Sequence, residues 1–270
     1  MKKNNKIFLS LTATSMFLGM DGAYAACSDI SRDQLTTAIA TAEAVTTTGG
    51  YGLNMWATVV DETGKVCHVA TSGVTGAAAG NSERLGSRII SAQKASTANA
   101  FSLDGYAIST ANLYAAVQPG GSLFGLQHSN PVDASIAYTG TPSKYGTKND
   151  PITGKRIGGV NVFGGGVALY KNGKKVGALG VSGDTSCRDH AYAWQIREAL
   201  VMHPAAPTLG ITTSNMNAAG AVQTPLTGAA KGDEMILSSG GTNYWEAWAQ
   251  PACPNSTSAA TTANGTLVAP

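Results

Sequence analysis

Apolar and polar positions are most clearly patterned in the middle of the chain, where short apolar runs are separated by glycine. Residues 167–170 and 176–181 are two such runs, joined through Asn172-Gly173. An Asn-Gly pair between apolar runs predicts a β-hairpin, because both residues tolerate the positive φ that a type I′ turn requires. The second run ends at Ser182-Gly183-Asp184. Apolar residues then recur at helical spacing until His203-Pro204, which predicts a helix.

The start of this helix is the first place to look for chemistry. Ser186 with Asp189 three residues later fits a relaxed capping box. The same bend between strand and helix carries Asp184 and His190. A tight turn that brings two carboxylates and an imidazole close together is a candidate functional site.

The apolar pattern also predicts elements in the first part of the chain. A helix begins near Ser31, where Gln34 completes a capping box. Residues 53–60 and 66–70 are predicted to be neighbouring strands, and the first is apolar on both faces, as expected of a central strand covered by helices. Residues 82–101 form a long helix rich in alanine and serine. These small residues let it lie close to a neighbouring backbone, either within the core, which we favour, or across a subunit contact.

Two later regions lack a sustained period. Residues 103–159 are rich in turn formers and longer than ordinary connections, so they are predicted to be an inserted loop region, either a lid beside a pocket or a subunit contact. Residues 205–254 are predicted to be an extension that wraps the domain. Residues 255–270 are predicted to be a disordered tail. Too little apolar sequence follows residue 204 to build a second core.

The amino terminus has the layout of a secretory signal peptide. Lys2, Lys3 and Lys6 precede an apolar run over residues 7–20, and Ala23-Tyr24-Ala25 supplies a cleavage site of small residues. The run is too short for a comfortable membrane span, and no other apolar stretch reaches the necessary length. Residues 1–25 are therefore predicted to be removed, which leaves a periplasmic or secreted protein without a membrane span.

Composition agrees with export and excludes one class of partner. Charged residues make up 13% of the chain and the net charge is +2, so no basic surface for nucleic acid is expected. The four cysteines are an even number in an oxidising compartment, and their spacing matches neither a zinc nor a c-type haem motif, which favours disulfides over metal thiolates. Three pairings are possible. We favour Cys27–Cys253, which ties the two ends together, and Cys67–Cys187.

Three stretches carry a resemblance to a known family. They are the glycine-rich GGGVALY at residues 164–170, the pattern G-x-x-G-V-S-G-D ending at Asp184, and the helix core Lys94-Ala95-x-Thr97-Ala98. Together they resemble the GlcG/HbpS-like haem-binding family, also called haem-degrading, over roughly residues 35–200.

The resemblance implies both a fold and a ligand. The fold is an α+β domain over residues 26–204, with a profilin-like five-stranded antiparallel sheet and packed helices. Members of the family often form ring-shaped homo-oligomers. They are described as haem- or iron-binding, and some are partners of sensor proteins. Haem or a related tetrapyrrole is therefore the expected cofactor, and an exported or sensor protein is a possible partner.

His190 is the best candidate haem ligand among the four histidines. A haem iron takes an imidazole, thiolate, thioether or phenolate ligand, and His190 lies near the first turn of the last helix. Asp189 is a candidate to orient the imidazole, although neighbouring residues of a helix point to different faces. The alternative is that both side chains only satisfy hydrogen bonds at the helix end.

The backbone of the same bend is a candidate site for a haem propionate. Free N–H groups at the helix start, together with Ser182 and Gly183, would receive a carboxylate. Asp184 belongs to the same candidate site, although capping of the helix alone accounts for it. A calcium-like site made from Asp184 and Asp189 is disfavoured, because two carboxylates fall short of the oxygen ligands that such an ion collects.

The other histidines and the basic residues of the long helix have weaker claims. His128 lies in the inserted loop region, as a candidate external ligand or lid residue. His68 is interpreted as a strand-face residue, and His203 as a structural residue whose charge complements the helix dipole. Lys94 and Arg84 lie on the predicted long helix, where either could face an anionic ligand, and a solvated helix face is the favoured interpretation.

Two glycine-rich motifs argue against other enzyme classes. Gly164-Gly165-Gly166 is too short for a Walker or dinucleotide loop, and close backbone approach is its expected purpose. Gly180-Val181-Ser182-Gly183 only approximates the G-x-S-x-G elbow of hydrolases. Three hypotheses remain: a haem-binding protein, an enzyme that degrades haem or acts on a small metabolite, and a ring-forming interaction subunit without turnover. The resemblance favours the first.

Overall fold

The computed structural model of the chain describes residues 25–45, 50–79, 84–204, 209–210, 232–238, 248–251, 253 and 266–267. The predicted signal peptide lies outside these residues except for Ala25, and so does the predicted tail except for residues 266–267. Much of the predicted wrapping extension lies outside them as well. No helix in the described ranges is both long and apolar enough to cross a bilayer.

The described elements follow in chain order. The helices are α1 (Ala25–Asp29), α2 (Arg32–Val45), α3 (Gly86–Phe101), α4 (Leu126–Ser129), α5 (Ala134–Ala137) and α6 (Ser186–Ala199). The strands are β1 (Trp56–Asp61), β2 (Val66–Thr71), β3 (Tyr106–Ala107), β4 (Gly166–Lys171), β5 (Lys174–Ser182), β6 (Leu209–Gly210), β7 (Met235–Leu237), β8 (Ala249–Gln250) and β9 (Thr266–Leu267). Single turns of 3-10 helix lie at Gly76–Ala78, Ala111–Leu113, Ala115–Val117 and Pro142–Lys144.

The centre of the fold is an antiparallel sheet with strand order β2-β1-β5-β4. The α+β class is confirmed. The resemblance implied five strands, whereas the main sheet formed by the described residues has four. The profilin-like topology stays a prediction. Every residue of β1 is buried, because helices cover both faces of the sheet.

Each face of the sheet has its own apolar cluster. On one face, α2 and α6 pack against each other, α2 lies on β2 and α6 lies on β5 and β4, with Leu35, Val59 and Ile196 in the shared cluster. On the other face, α3 lies directly on β5. A Cβ atom added to Gly180 would come within 1.9 Å of the Ser91 carbonyl oxygen. The small residues of α3 therefore serve core packing, as the favoured interpretation of the sequence predicted.

Two local predictions are confirmed at atomic detail. In the turn between β4 and β5, Asn172 and Gly173 both have positive φ, 52° and 75°, as a type I′ turn requires. At the start of α2, the Gln34 N–H donates to the Ser31 hydroxyl at 3.2 Å, and the Ser31 N–H donates to the Gln34 side chain at 2.8 Å. This reciprocal pair is a capping box.

The disulfide pairing differs from the favoured one. The bonds are Cys27–Cys67 and Cys187–Cys253, so the predicted Cys27–Cys253 and Cys67–Cys187 are both wrong. Cys67 lies on the edge strand β2, beside α1 and within reach of Cys27. Cys187 instead lies in an apolar cluster to which residues from the C-terminal part of the chain contribute, and Cys253 belongs to that cluster. All four cysteines are paired.

Two segments are docked on the central domain through buried ion pairs. We call residues 103–159 the inserted segment, and residues 232–238, 248–251 and 253 the C-terminal strap. Arg88 of α3 pairs with Asp150 of the inserted segment, and Arg197 of α6 pairs with Asp233 of the strap. All four side chains are at most 1% exposed. Each segment thus contacts a different helix.

Candidate functional site

Asp184 ties a loop to the bend between β5 and α6. Its carboxylate accepts main-chain N–H bonds from Tyr51 at 2.9 Å and from Leu53 at 3.0 Å. The helix cap is Thr185, whose hydroxyl accepts the Arg188 N–H at 3.2 Å. The predictions of a cap at Asp184 and of a capping box at Ser186 are therefore wrong, because the helix begins one residue earlier than the box requires.

Asp189 forms a buried ion pair with Lys94 of α3. The Lys94 Nζ lies 2.7 Å from the Asp189 Oδ2 and also donates to the Val181 carbonyl at 3.0 Å. The Asp189 Oδ1 accepts the Asp184 N–H at 2.9 Å. The lysine and aspartate side chains are 1% and 3% exposed, so the prediction of a solvated face for Lys94 is wrong.

Burial dominates the electrostatics of this pair. It raises the pKa of the Asp189 carboxyl to about 6, against the opposing effect of the Lys94 charge. It also lowers the pKa of Lys94, although Asp189 acts in the other direction. Removal from water disfavours both charged forms, and the attraction between the two charges acts against this effect. The chemical role available to these two groups is to join α3, β5 and α6.

The glycine triplet provides the space that the pair needs. Gly165 has φ +116°, and a Cβ there would lie 2.4 Å from the Val181 carbonyl oxygen and 3.2 Å from the Lys94 Nζ. A Cβ on Gly164 would lie 2.2 Å from the Met235 methyl and 3.1 Å from the His190 Cβ. Close backbone approach, the purpose predicted for the triplet, is confirmed.

His190 is buried and has no conventional hydrogen bond. Its residue is 1% exposed, and neither ring nitrogen has a partner of normal geometry within the described part of the chain. Its ring centroid lies 6.2 Å from that of Trp194. Burial, and secondarily the charges of Arg197 and Lys94, lowers the pKa of His190 to about 3. The main chain of Asp233 lies close enough to the ring to oppose this shift as a hydrogen-bond partner, although the contact falls outside normal hydrogen-bond geometry. The imidazole is therefore neutral at physiological pH.

Three N–H groups of the bend already have hydrogen-bond acceptors within the chain. The Asp184 N–H donates to Asp189, the Thr185 N–H to Asp184 at 2.7 Å, and the Arg188 N–H to Thr185. Gly183 lies so close to the preceding loop that a Cβ would come within 2.1 Å of the Asn54 carbonyl oxygen. The expectation of free amides for a propionate is therefore wrong for these three N–H groups.

The predicted site residues are only partly brought together. Ser182 ends β5, buried and paired in register with Trp56, and it leads directly into the bend that holds Asp184 and Asp189. His190 lies on the same helix. His128, on α4, is exposed and makes no hydrogen bond or ring contact with the bend in the regions described.

The remaining histidines have structural partners. The His68 Nε2 lies 2.7 Å from the Ile30 carbonyl oxygen, and the His203 Nδ1 lies 3.2 Å from the Pro204 carbonyl oxygen. Burial lowers the pKa of His68. These contacts agree with the structural roles predicted for both residues.

The chemistry of His190 fits an iron ligand, but its surroundings are closed. A neutral imidazole with unpaired nitrogens is the form that coordinates iron. The ring is covered, however, so access requires neighbouring groups to move. Two clefts lined by described residues lie elsewhere: one of about 510 Å³ between α2 and the end of α6, and one of about 640 Å³ beside the start of α2. Over the described ranges, no group of three or more His, Cys, Asp or Glu side chains is placed to hold a metal ion.

Comparison with known proteins identifies the family. The model of the family described as haem degrading protein HbpS-like matches residues 30–197, more than half of the chain. The chain belongs to the HbpS-like family. No curated protein matches it.

Three solved structures are similar to the chain. A PduOC:haem complex has 23% identity and a TM-score of 0.41, and the match covers 62% of this chain and 89% of that one. Klebsiella pneumoniae ORFY has 22% identity and a TM-score of 0.40, with 65% and 88% covered. A double mutant of Streptomyces reticuli HbpS has 18% identity and a TM-score of 0.36, with 63% and 86% covered.

Sequence reasoning located the bend but missed its partner on α3. Lys94 lies three residues after Ser91 and four before Ala98, and both of these are fully buried. Helical spacing therefore placed Lys94 on the buried face, and this signal was available. The Arg197–Asp233 pair had no comparable signal, because Asp233 lies in a stretch without a sustained period.

Proposed function

We propose that this chain is an exported haem-binding protein and that His190 is the axial ligand of the iron. The observation that carries the proposal is the buried, neutral imidazole of His190, whose ring nitrogens lack a conventional partner. Buried polar side chains are nearly always hydrogen-bonded, and a ligand is one of the few explanations for an exception. Membership of a haem-degrading family supplies the identity of that ligand.

Other residues of the bend act on His190 by position rather than by contact with haem. The Lys94–Asp189 pair fixes the first turn of α6 against α3 and β5, and so sets where the imidazole lies. Gly164 carries no side chain, so its backbone fits closely against the Met235 methyl and the His190 Cβ and helps to fix the position of His190. Bound haem would supply an iron that accepts the imidazole nitrogen. The bend itself is formed by Ser182, Gly183 and Asp184. We assign His128 no role in haem binding.

Export is supported by the two disulfides. Both pairs join cysteines distant in sequence, and such bonds persist in oxidising compartments. Together with the signal-peptide layout of residues 1–25, they support a periplasmic or secreted location. Assembly into a homo-oligomer and contact with an exported or sensor protein stay predictions.

Haem titration tests the function. Hemin added to the full mature chain, with hours allowed for equilibration, should give a Soret band that saturates at one haem per chain. His190→Ala should abolish the shift, and His190→Met, which offers a thioether, should change the band rather than remove it. His128→Ala and His203→Ala are the matched controls and should titrate like the wild type.

Each other outcome has a clear meaning. A wild-type titration that stays flat, in oxidised and reduced protein alike, would overturn haem binding and favour the interaction subunit. An unchanged Soret band in His190→Ala would overturn the ligand assignment. Loss of the band with formation of an open-chain tetrapyrrole, once a reductant is added, would identify an enzyme rather than a binding protein.

A further inference from the structure

The C-terminal strap covers one face of α6, and His190 lies on that face. Cys187, His190, Trp194 and Arg197 recur at intervals of three or four residues, so they share a side of the helix. Cys187 is bonded to Cys253 at one end of this face, and Arg197 is paired with Asp233 at the other. The two anchors are ten positions apart, which corresponds to about 15 Å of helix. His190 is therefore enclosed between a covalent and an ionic anchor.

Apolar contacts fill the space between the anchors. Met235 and Leu237 of the strap form one cluster with Ala191 of α6 and with both cysteines. The Met235 methyl and the His190 Cβ both approach Gly164, at 2.2 Å and 3.1 Å from the position of a Cβ there. Met235 is thus one of the groups that separate the imidazole from solvent.

The strap is an addition to the main sheet, although its apolar side chains are buried against the domain. Its strand β7 pairs with β8 and with β9, and none of the three joins the main sheet. The family match ends at residue 197, before the strap begins. Displacement of the strap would therefore expose the His190 face of α6 without removing a strand from the main sheet.

We propose that the C-terminal strap is a thiol-controlled cover over His190, closed when Cys187 and Cys253 are bonded and released when they are reduced. This inference rests on the proposed haem function, for which His190 must be reached. The ion pair and the apolar contacts hold the closed strap in register. The disulfide keeps it from leaving, because it links the far end of the strap to the helix.

Opening is a thiol–disulfide exchange with an external dithiol protein or reagent. A thiolate of the dithiol attacks one sulfur of the Cys187–Cys253 bond, which breaks as a mixed disulfide forms. The second thiol of the donor resolves that intermediate. The donor leaves as a disulfide, and Cys187 on α6 and Cys253 on the strap are left as thiols, so two electrons and two protons have passed from the donor to the protein. Closure is the reverse exchange.

The test compares two double variants of the full mature chain. Cys187→Ser with Cys253→Ser releases the strap, whereas Cys27→Ser with Cys67→Ser removes the other disulfide and serves as the matched control. Diethyl pyrocarbonate modifies accessible imidazoles, and peptide mass spectrometry reports its reaction at each histidine without any haem. The exposed His128 is the internal reference.

We expect His190 to react at least about tenfold faster in the strap-released variant than in the wild type, since the rate follows the open fraction. The control variant should match the wild type, and His128 should react equally in all three proteins. Wild-type protein reduced with dithiothreitol should behave like the strap-released variant, which keeps the test valid if that variant folds poorly. Equal protection of His190 in the wild type, the folded strap-released variant and the reduced protein would overturn the cover.

Haem binding rates separate this inference from the proposed function. A faster, His190-dependent Soret change in the strap-released variant supports both. Rapid diethyl pyrocarbonate reaction at His190 without any haem uptake upholds the cover and overturns the haem function. Equally fast, His190-dependent haem uptake by oxidised wild type and strap-released variant overturns the cover alone.

Discussion

The inserted segment and the C-terminal strap are each attached to the central domain by a buried ion pair, but they differ in how the main chain connects them to that domain. In each, an aspartate pairs with a buried arginine that also lies over an aromatic ring: Arg88 is 4.1 Å from the centroid of Tyr145, and Arg197 is 4.6 Å from that of Trp194. The inserted segment is continuous with the domain at both ends. The strap is joined to the domain by the main chain on its N-terminal side only, and the Cys187–Cys253 disulfide links its far end to α6.

Asp150 and Asp233 also differ in the hydrogen bonds that they accept from their own segments. Asp150 accepts N–H bonds from Gly146 at 2.8 Å and from Ile152 at 3.1 Å, so it shapes the loop around it. For Asp233, the described side-chain bonds go to Arg197. Loss of Asp150 therefore damages the inserted segment itself, whereas loss of Asp233 mainly frees the strap. Connectivity, rather than the ion pair, decides which segment can serve as a moving part.

The largest expected effect comes from Asp150→Ala. The substitution leaves the Arg88 charge buried without a carboxylate, in a segment that cannot move away to let water in. We expect the free energy of unfolding to fall by about 3–5 kcal/mol, measured by urea denaturation. Double replacement of Arg88 and Asp150 by Met and Leu should restore most of the loss. Failure of that rescue would show that the bonds to Gly146 and Ile152 matter more than the charge.

As the pH falls, we expect the strap, which covers His190, to open before the inserted segment does. The pKa of His190 is lowered from 6.5 to about 3, so between these values the unfolded chain binds a proton that the folded chain does not. The contribution of His190 to the free energy of unfolding is fully present above pH 6.5 and is lost as the pH falls toward the pKa of the folded state. At about 1.4 kcal/mol per unit, roughly 2–3 kcal/mol should disappear between pH 6.5 and about pH 4.5.

The matched variant for this titration is His190→Gln, which cannot take up the proton. The wild-type profile alone is ambiguous, because Asp189, with its pKa raised to about 6, gains a proton on folding and opposes the trend below pH 6. The difference between wild type and variant isolates His190. Hydrogen exchange at about pH 4.5 should show the strap amides opening first, and equal opening of residues 103–159 would contradict the comparison.

Asp233→Ala should have a smaller global effect than Asp150→Ala. The strap can shift and admit water to Arg197, so we expect a loss of about 1–3 kcal/mol. Hydrogen exchange should rise within residues 232–238 while the main sheet stays protected. A loss equal to that of Asp150→Ala would mean that the strap is as integral as the inserted segment.

The smallest effect is expected for Lys174→Ala. Lys174 forms an exposed ion pair with Asp104 of the inserted segment, at 2.8 Å. Exposed pairs contribute little because solvent screens them. The unfolding midpoint should be unchanged within error, so this variant is a control for charge removal on the same segment. A clear drop would show that surface charges also hold the segment.

The sequence was sufficient for features that depend on neighbouring residues. The hairpin at Asn172-Gly173 and the capping box at Ser31 follow from local backbone chemistry, and the glycine triplet indicated close approach. The α+β class was predicted from the family resemblance, which rests on the same local motifs.

Features that depend on distant residues were less accessible. Cysteine pairing follows from which apolar cluster each side chain enters, and spacing along the chain carries no such information. The burial of His190 depends on a strap whose sequence lacks a period. Lys94 was misjudged because a lysine is ordinarily solvated, although its helical neighbours Ser91 and Ala98 are buried.

The order of the disulfides has a consequence for biogenesis. The first cysteine of the chain pairs with the second, and the third with the fourth. On the export route proposed above, a polypeptide threaded amino terminus first through a translocation pore would present Cys27 and Cys67 to an oxidase before Cys187 emerges. Bonding each cysteine to the next one that emerges would then give the native pairs without reshuffling, so the yield of correctly bonded protein should be insensitive to loss of a disulfide isomerase.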